Sequence, residues 1–243
     1  MKVIVFGATG TIGRLAVETM LKEGHEVTAF ARRPGSLGID DPKLGLFAGN
    51  ALDPASVSDA VRGHDAVVIT LGAGMSRKSV IRSQGTMNVI EAMHAHGVRR
   101  LICQSRLGAH ESWSNLNFFW QRIMFGLLLR PVFLDHELQE KLVRASGLDW
   151  TIVRPSAFAD GPARGGFREN FGPELRTLKL TIPRADIAAF LTRQLCDATY
   201  MRRAVGISNL HQSPERTEQW SIKSFPGCSR RRPSPRGSSR ASS

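Results

Sequence analysis

The sequence predicts an α/β fold: one domain built on a doubly wound parallel sheet. Three observations lead there. Short apolar segments alternate with longer amphipathic ones, as strands do when helices cover both faces of a sheet. The first apolar segment runs directly into a glycine-spaced turn that opens a helix. The 243 residues suffice for one such domain with a full core and are too few for two ordinary ones.

The elements follow in order. The first strand is Lys2–Phe6, and a helix over 11–23 is ended by Gly24. The second strand is Glu26–Ala31 and the third Leu44–Ala48. Asp53-Pro54 opens a helix, with Asp as N-cap and Pro in the first turn. A fourth strand over 65–71 precedes a long helix over 79–96, and a fifth strand covers 99–104. Residues 105–131, rich in Trp, Phe and Leu, form an insertion. A helix over 134–146 leads to a sixth strand over 150–154. Residues 155–173, rich in Gly and Pro, predict a loop. A strand over 179–182, a helix over 185–195 and a strand over 204–208 complete the domain, residues 1–209.

The remaining segment, 210–243, has a composition that cannot bury enough apolar surface to order itself, and a disordered basic tail is expected. It matters for reading the charge. The chain carries +12, but residues 211–243 alone hold seven Lys/Arg against two Asp/Glu. The rest is spread without a stripe or a nucleic-acid motif, so no specific nucleic-acid partner is expected. No apolar run reaches the ~18 residues of a membrane helix. The first strand begins almost at Met1, which predicts no secretory leader. Three scattered cysteines, Cys103, Cys196 and Cys228, have no metal-ligand spacing and fit a reducing, cytoplasmic setting.

The strongest motif is Gly7-Ala8-Thr9-Gly10-Thr11-Ile12-Gly13. Gly7 permits a sharp turn, Gly10 lets backbone approach a pyrophosphate, and Gly13 lets the helix pack closely on the sheet. Backbone around Thr9, Thr11 and Ile12 then faces the phosphates, assisted by the helix dipole. This is a Rossmann-type dinucleotide site.

The spacing is G-x-x-G-x-x-G, and two later stretches accompany it: Ser146-Gly147-Leu148-Asp149-Trp150-Thr151-Ile152-Val153-Arg154-Pro155 and Pro183-Arg184-Ala185-Asp186-Ile187-Ala188. On these the chain resembles the short-chain dehydrogenase/reductase superfamily, in particular its atypical branch of NmrA-like proteins and the flavin reductase/biliverdin-IXβ reductase. The resemblance spans roughly residues 2–208 and implies an NAD(P)-binding fold. Where an NAD enzyme carries an acid at the end of the second strand, this chain has Arg32-Arg33, which suits the 2′-phosphate of NADP(H). Two solvated surface arginines are the plain alternative. The resemblance puts Asp53 where a carboxylate holds the adenine amino group, a role compatible with capping a helix. Leu71-Gly72-Ala73-Gly74 follows the fourth strand, where backbone passes the cofactor ribose.

Standard members of the superfamily use a Tyr-x-x-x-Lys pair. Here the single tyrosine is Tyr200, outside the corresponding helix, and the two positions fall at Val132 and His136. Two residues remain as catalytic candidates. Ser105 ends the fifth strand, where the resemblance implies a catalytic serine, and could also simply bond backbone. His136, in Asp135-His136-Glu137, resembles the flavin/biliverdin reductase at that place. With an unperturbed pKa it would relay a proton near neutrality, or it could bond the nicotinamide ribose. Without the Tyr, an isolated ketone is a poor acceptor, whereas a flavin, quinone or linear tetrapyrrole spreads the incoming charge. Trp113, Phe118, Phe119, Trp120, Phe125 and Phe133 could wall such a substrate. They could equally be core, a homodimer surface or, less readily, a membrane-touching helix interrupted by Arg122. Asp186 reads as a structural residue at a helix start. The expectation is an NADPH-dependent oxidoreductase acting on a conjugated acceptor. The alternative is a non-catalytic NADP(H) sensor of the NmrA-like type.

Overall fold

A computed structural model of the chain describes residues 1–74, 80–116, 118–175 and 177–210. The expected tail, Cys228 and the first residue of the expected 79–96 helix, Ser79, lie outside the described residues. Leu210, the first residue of that expected tail, is described and forms an antiparallel bridge with Leu178.

The elements are β1 (Lys2–Phe6), α1 (Thr11–Lys22), β2 (Glu26–Ala31), β3 (Leu44–Ala48), α2 (Pro54–Val61), β4 (Ala66–Ile69), α3 (Ile81–His96), β5 (Arg100–Gln104), α4 (Arg130–Ala145), β6 (Asp149–Pro155), β7 (Ala157–Ala159), β8 (Arg168–Glu169), β9 (Thr181–Pro183), α5 (Arg184–Arg193) and β10 (Arg203–Ser208). The main sheet has eight strands in the order β3-β2-β1-β4-β5-β6-β10-β8, parallel except for β8. The chain winds outward from β1 in one direction and from β4 in the other. The switch point between β1 and β4 therefore opens a crevice at their carboxyl ends.

Period-two alternation along the strands builds two cores. Val3 and Val5 of β1, Val68 of β4 and Ile102 of β5 face α1 and α5, meeting Val17, Met20, Ile187 and Leu191. Ile4, Phe6, Val67 and Ile69 face the other way, onto Val57 of α2, Met93 of α3 and Val143 of α4. Both faces are covered, which is why these strands read as unbroken apolar runs.

Three expectations need correction. The strand expected over 179–182 is β9, and it pairs with β7 in a separate two-stranded sheet. The presumed loop over 155–173 holds both β7 and β8. Two- and three-residue strands are too short to leave a periodic signal. The insertion holds a 3-10 helix, His110–Asn115, and a π-helix, Phe119–Leu128, and the helix expected from 134 starts four residues earlier. The next helix, α4, begins at Arg130, because Pro131 sits in its first turn, where a missing N–H costs nothing.

Among the described residues, no helix is long and apolar enough to cross a membrane.

Candidate functional site

At the switch point the glycine turn is tightly constrained. Gly7 has φ +83°, and a Cβ there would lie 2.6 Å from the Thr70 carbonyl oxygen at the end of β4. A Cβ on Gly13 would lie 2.2 Å from the Gly7 carbonyl oxygen and 2.8 Å from Thr70 Oγ1. Gly10 differs: its nearest neighbour would be the Gly7 oxygen at 3.2 Å. No side chain caps α1 at Gly10, which leaves the first N–H groups of the helix directed at the cleft.

A single cleft of about 790 Å³ runs along the carboxyl ends of the strands from this turn to α4. Gly7, Thr9, Gly10, Thr11 and Ile12 form one end. Arg32 enters from the end of β2, and Leu71 and Gly72 from the end of β4. Ser105 and His136 form the other end. Gly13 lies beneath the turn, packed on Thr70 rather than in the wall. Arg33 and Asp53 do not line the cleft: Arg33 is the N-cap of a 3-10 turn, and the Asp53 side chain accepts from Ala55 N (3.1 Å) as N-cap of α2. Asn50, Ala51 and Leu52 supply that part of the wall instead.

The far end is buried and polar. Ser105 is 1% exposed, and its Oγ has no hydrogen-bond partner among the described residues. The backbone-bonded serine considered from sequence is therefore absent. Gln104 Oε1 and His136 Nδ1 are likewise buried without partners. Each would cost about 1–3 kcal/mol if left unsatisfied, the mark of a site completed by a ligand.

Two arginines that sequence reasoning missed flank this end. Arg82, in the first turn of α3, has its Nη1 3.5 Å from Asp135 Oδ2 and an Nε with no partner. Asp135 on α4 accepts from Arg82 N (3.2 Å), Ser83 N (3.0 Å) and Ser83 Oγ (2.6 Å). It thus caps a helix whose own N-cap residue provides no side-chain bond. The Arg106 guanidinium stands 5.7 Å over the Trp120 ring. Burial, then the charge of Arg82, brings the Arg106 pKa down to about 10. The signal for Arg106 was its place directly after Ser105 at a strand end. Arg82 was hidden in the basic stretch after the fourth strand, which alternation does not resolve.

These arginines overturn one expectation. Burial first, then the charges of Arg82 and Arg106, pushes the His136 pKa down to about 3. His136 is therefore neutral at pH 7, one nitrogen donating and the other accepting, rather than half-protonated near neutrality.

The aromatic residues are also placed differently. Trp113 packs edge-on against Phe133, 5.2 Å between centroids, within a third core cluster. Phe118 and Phe119 are exposed on the surface. Trp120 lies under Arg106, and nothing is described of the Phe125 side chain. Trp113, Phe118, Phe119, Trp120 and Phe133 do not line the cleft; Phe30 and Phe158 do. Tyr200 stacks on Phe190 beneath the sheet, away from the cleft. Asp186 is structural, accepting from Arg164 N and Gly165 N, each at 2.9 Å.

These residues fit a dinucleotide: a glycine cradle, open helix N–H groups, a cleft of sufficient length and unsatisfied polar atoms at its end. Comparison with known proteins agrees. The chain is 29% identical over 205 residues to the UPF0659 protein YMR090W of Saccharomyces cerevisiae, covering 80% of this chain and 87% of that one. The anaerobillin reductase ChuY of Escherichia coli O157:H7 has a similar fold, with a TM-score of 0.70 at 24% identity, over 88% of this chain and 100% of that one. So does a short-chain dehydrogenase/reductase of Veillonella parvula, solved in complex with NADP, with a TM-score of 0.70 at 18% identity, over 85% of this chain and 93% of the other. The sequence matches the family described as NAD(P)H-binding over residues 7–198, and the chain belongs to that family.

Proposed function

We propose that this chain is an NADPH-dependent oxidoreductase that reduces a conjugated acceptor of the flavin, quinone or tetrapyrrole type. The observation that carries this reading is the continuity of the cleft from the glycine turn to the buried, unpartnered Ser105 Oγ and His136 Nδ1. When bound, NADPH would supply the hydride.

The protein's own groups would do the rest. The N–H groups of Thr11 and Ile12, next to Gly10, whose own N–H donates to the Gly7 oxygen (2.9 Å), would hold the pyrophosphate, and Leu71 and Gly72 would pass the ribose. Arg32 in the wall supports NADPH over NADH, because a guanidinium favours the 2′-phosphate where an acid would favour the free hydroxyl. Arg33 and Asp53, just outside the wall, would contribute through the rims of their turns. Ser105 would hydrogen-bond an acceptor oxygen. His136, neutral, would hold the ribose or the acceptor by hydrogen bonds. A conjugated acceptor suits a site whose histidine is not a ready acid.

A second reading, an NADP(H) sensor that does not turn over, draws on the same neutral histidine and on Tyr200 lying in the core. Absorbance at the reduced-nicotinamide band separates the two. NADPH should be oxidised in the presence of flavin, quinone or biliverdin, and Ser105→Ala should slow it at least tenfold. Binding without oxidation by any of them would leave the sensor.

A further inference from the structure

We infer that Asn88, in the middle of α3, is a cofactor-positioning residue: it fixes the segment 50–52, and so shapes the part of the cleft that takes the adenosine half of the dinucleotide. This rests on NADPH lying in the cleft and is independent of the acceptor.

Asn50, Ala51 and Leu52 enter the wall after β3, and Leu71 and Gly72 after β4. The bonds within the first segment are local: Leu52 N donates to Asn50 Oδ1 (3.1 Å), and Asp53 N to the Asn50 carbonyl oxygen (2.9 Å). Among the described residues, one hydrogen bond ties this segment to another element. It runs from Asn88 Nδ2 to the Ala51 carbonyl oxygen, at 2.9 Å. Asn88 is 2% exposed. Its Oδ1 accepts from Gln84 Nε2 (3.3 Å), one turn earlier on α3, which turns the amide nitrogen toward Ala51. Asparagine is a poor residue for the interior of a helix, and filling the core would call for an apolar side chain there. The bond to Ala51 gives the amide its purpose.

The same helix touches both segments. A Cβ on Gly85 would lie 2.8 Å from Leu71 Cδ1 and 3.3 Å from Ala51 Cβ. Gly85 thus lets α3 come close behind the two, and Asn88, on the next turn, locks one of them. The helix is itself a firm support, because α4 holds it from the other side. Asp135 accepts from Ser83 N (3.0 Å) and Ser83 Oγ (2.6 Å), and Gln139 Nε2 donates to Thr86 Oγ1 (3.0 Å). Removing the Asn88 amide would leave the Ala51 carbonyl without its partner and the segment tethered by local bonds alone. A wall that must then be ordered on binding gives weaker binding than one already in place.

The test uses 2′,5′-ADP, which is the adenosine half alone, and NADPH, each titrated calorimetrically into the full chain. Asn88→Ala should weaken both at least tenfold and by the same factor, because the loss lies in the half they share. Asn88→Leu, which fills the space without a donor, should behave in the same way and excludes a cavity as the cause. Gln84→Ala, which frees the Asn88 amide without touching the segment, should give a smaller loss of the same pattern and guards against misfolding of the Asn88 variants. Affinity for 2′,5′-ADP within twofold of the wild type in both Asn88 variants would overturn the inference. So would a loss for NADPH at least tenfold greater than for 2′,5′-ADP, which would assign Asn88 to the fold at large. A wild-type chain that binds neither compound would refute the dinucleotide reading itself, and the inference with it. Turnover plays no part, so an oxidoreductase and a sensor should give the same result.

Discussion

Lowering the pH from 7 to 5 should destabilise this protein through His136 in particular. In the unfolded chain its imidazole titrates near the ordinary 6.5; in the fold, burial and the charges of Arg82 and Arg106 hold it down to about 3. Between these values the unfolded chain binds the proton and the folded one does not, so stability falls as pH falls. The contribution is fully present above pH 6.5 and is progressively lost toward pH 3. From pH 7 to 5 the loss works out at about 2 kcal/mol, since a proton is withheld across roughly one and a half pH units at 1.36 kcal/mol each. The groups acting on the ring are Arg82 from α3, Arg106 after β5 and Gln139 from α4 itself; the arginines stay charged throughout. Urea unfolding of the ligand-free protein at both pH values, beside His136→Gln, isolates the effect, because every other titrating group is common to both. The wild type should lose about 2 kcal/mol more than the variant. Parallel pH dependences would refute the assignment of a buried, neutral histidine between two guanidiniums.

The glycines should separate folding from binding. Gly13→Ala forces a Cβ to 2.2 Å from the Gly7 oxygen and should cost about 1–3 kcal/mol or more in urea unfolding. Gly10→Ala meets its nearest atom at 3.2 Å, so it should fold with nearly normal stability yet bind NADPH at least tenfold more weakly by fluorescence. Glu140→Gln removes one of the two carboxylates on Arg154, which is 2% exposed and keeps Glu111, and should destabilise by about 1–3 kcal/mol in the same assay. Arg32→Gln should narrow the NADPH-to-NADH affinity ratio by about tenfold or more, corresponding to a charge-assisted hydrogen bond of about 1.5–3 kcal/mol.

The parallel sheet and its first turn were legible because both depend on local signals. Apolar runs such as Lys2–Phe6 and the spacing of Gly7, Gly10 and Gly13 need no tertiary knowledge to interpret. The ends of α4 and the short strands β7 and β8 were not, because Pro131 looks like a boundary whether it precedes a helix or sits in its first turn. The site was read from the strand ends, which reached Arg32, Leu71, Gly72 and Ser105. It could not be read across the sheet: that Arg82 on α3 and Arg106 after β5 converge on His136 of α4 follows from the crossovers, not from spacing. For the same reason the sequence supplied an ordinary histidine where the fold holds a strongly shifted one. The aromatic segment misled because a row of Trp and Phe has the same pattern whether it lines a cleft or fills a satellite core, and Trp113 and Phe133 do the latter.

Direct binding of NADPH to the purified chain tests the central claim most closely. On titration with NADPH and, separately, NADH, the emission of the reduced nicotinamide should rise and saturate with NADPH at lower concentration than with NADH, as Arg32 in the cleft wall requires. A chain that changes the emission of neither nucleotide, while its circular dichroism reports an intact α/β fold, would contradict the reading of this cleft as a dinucleotide site.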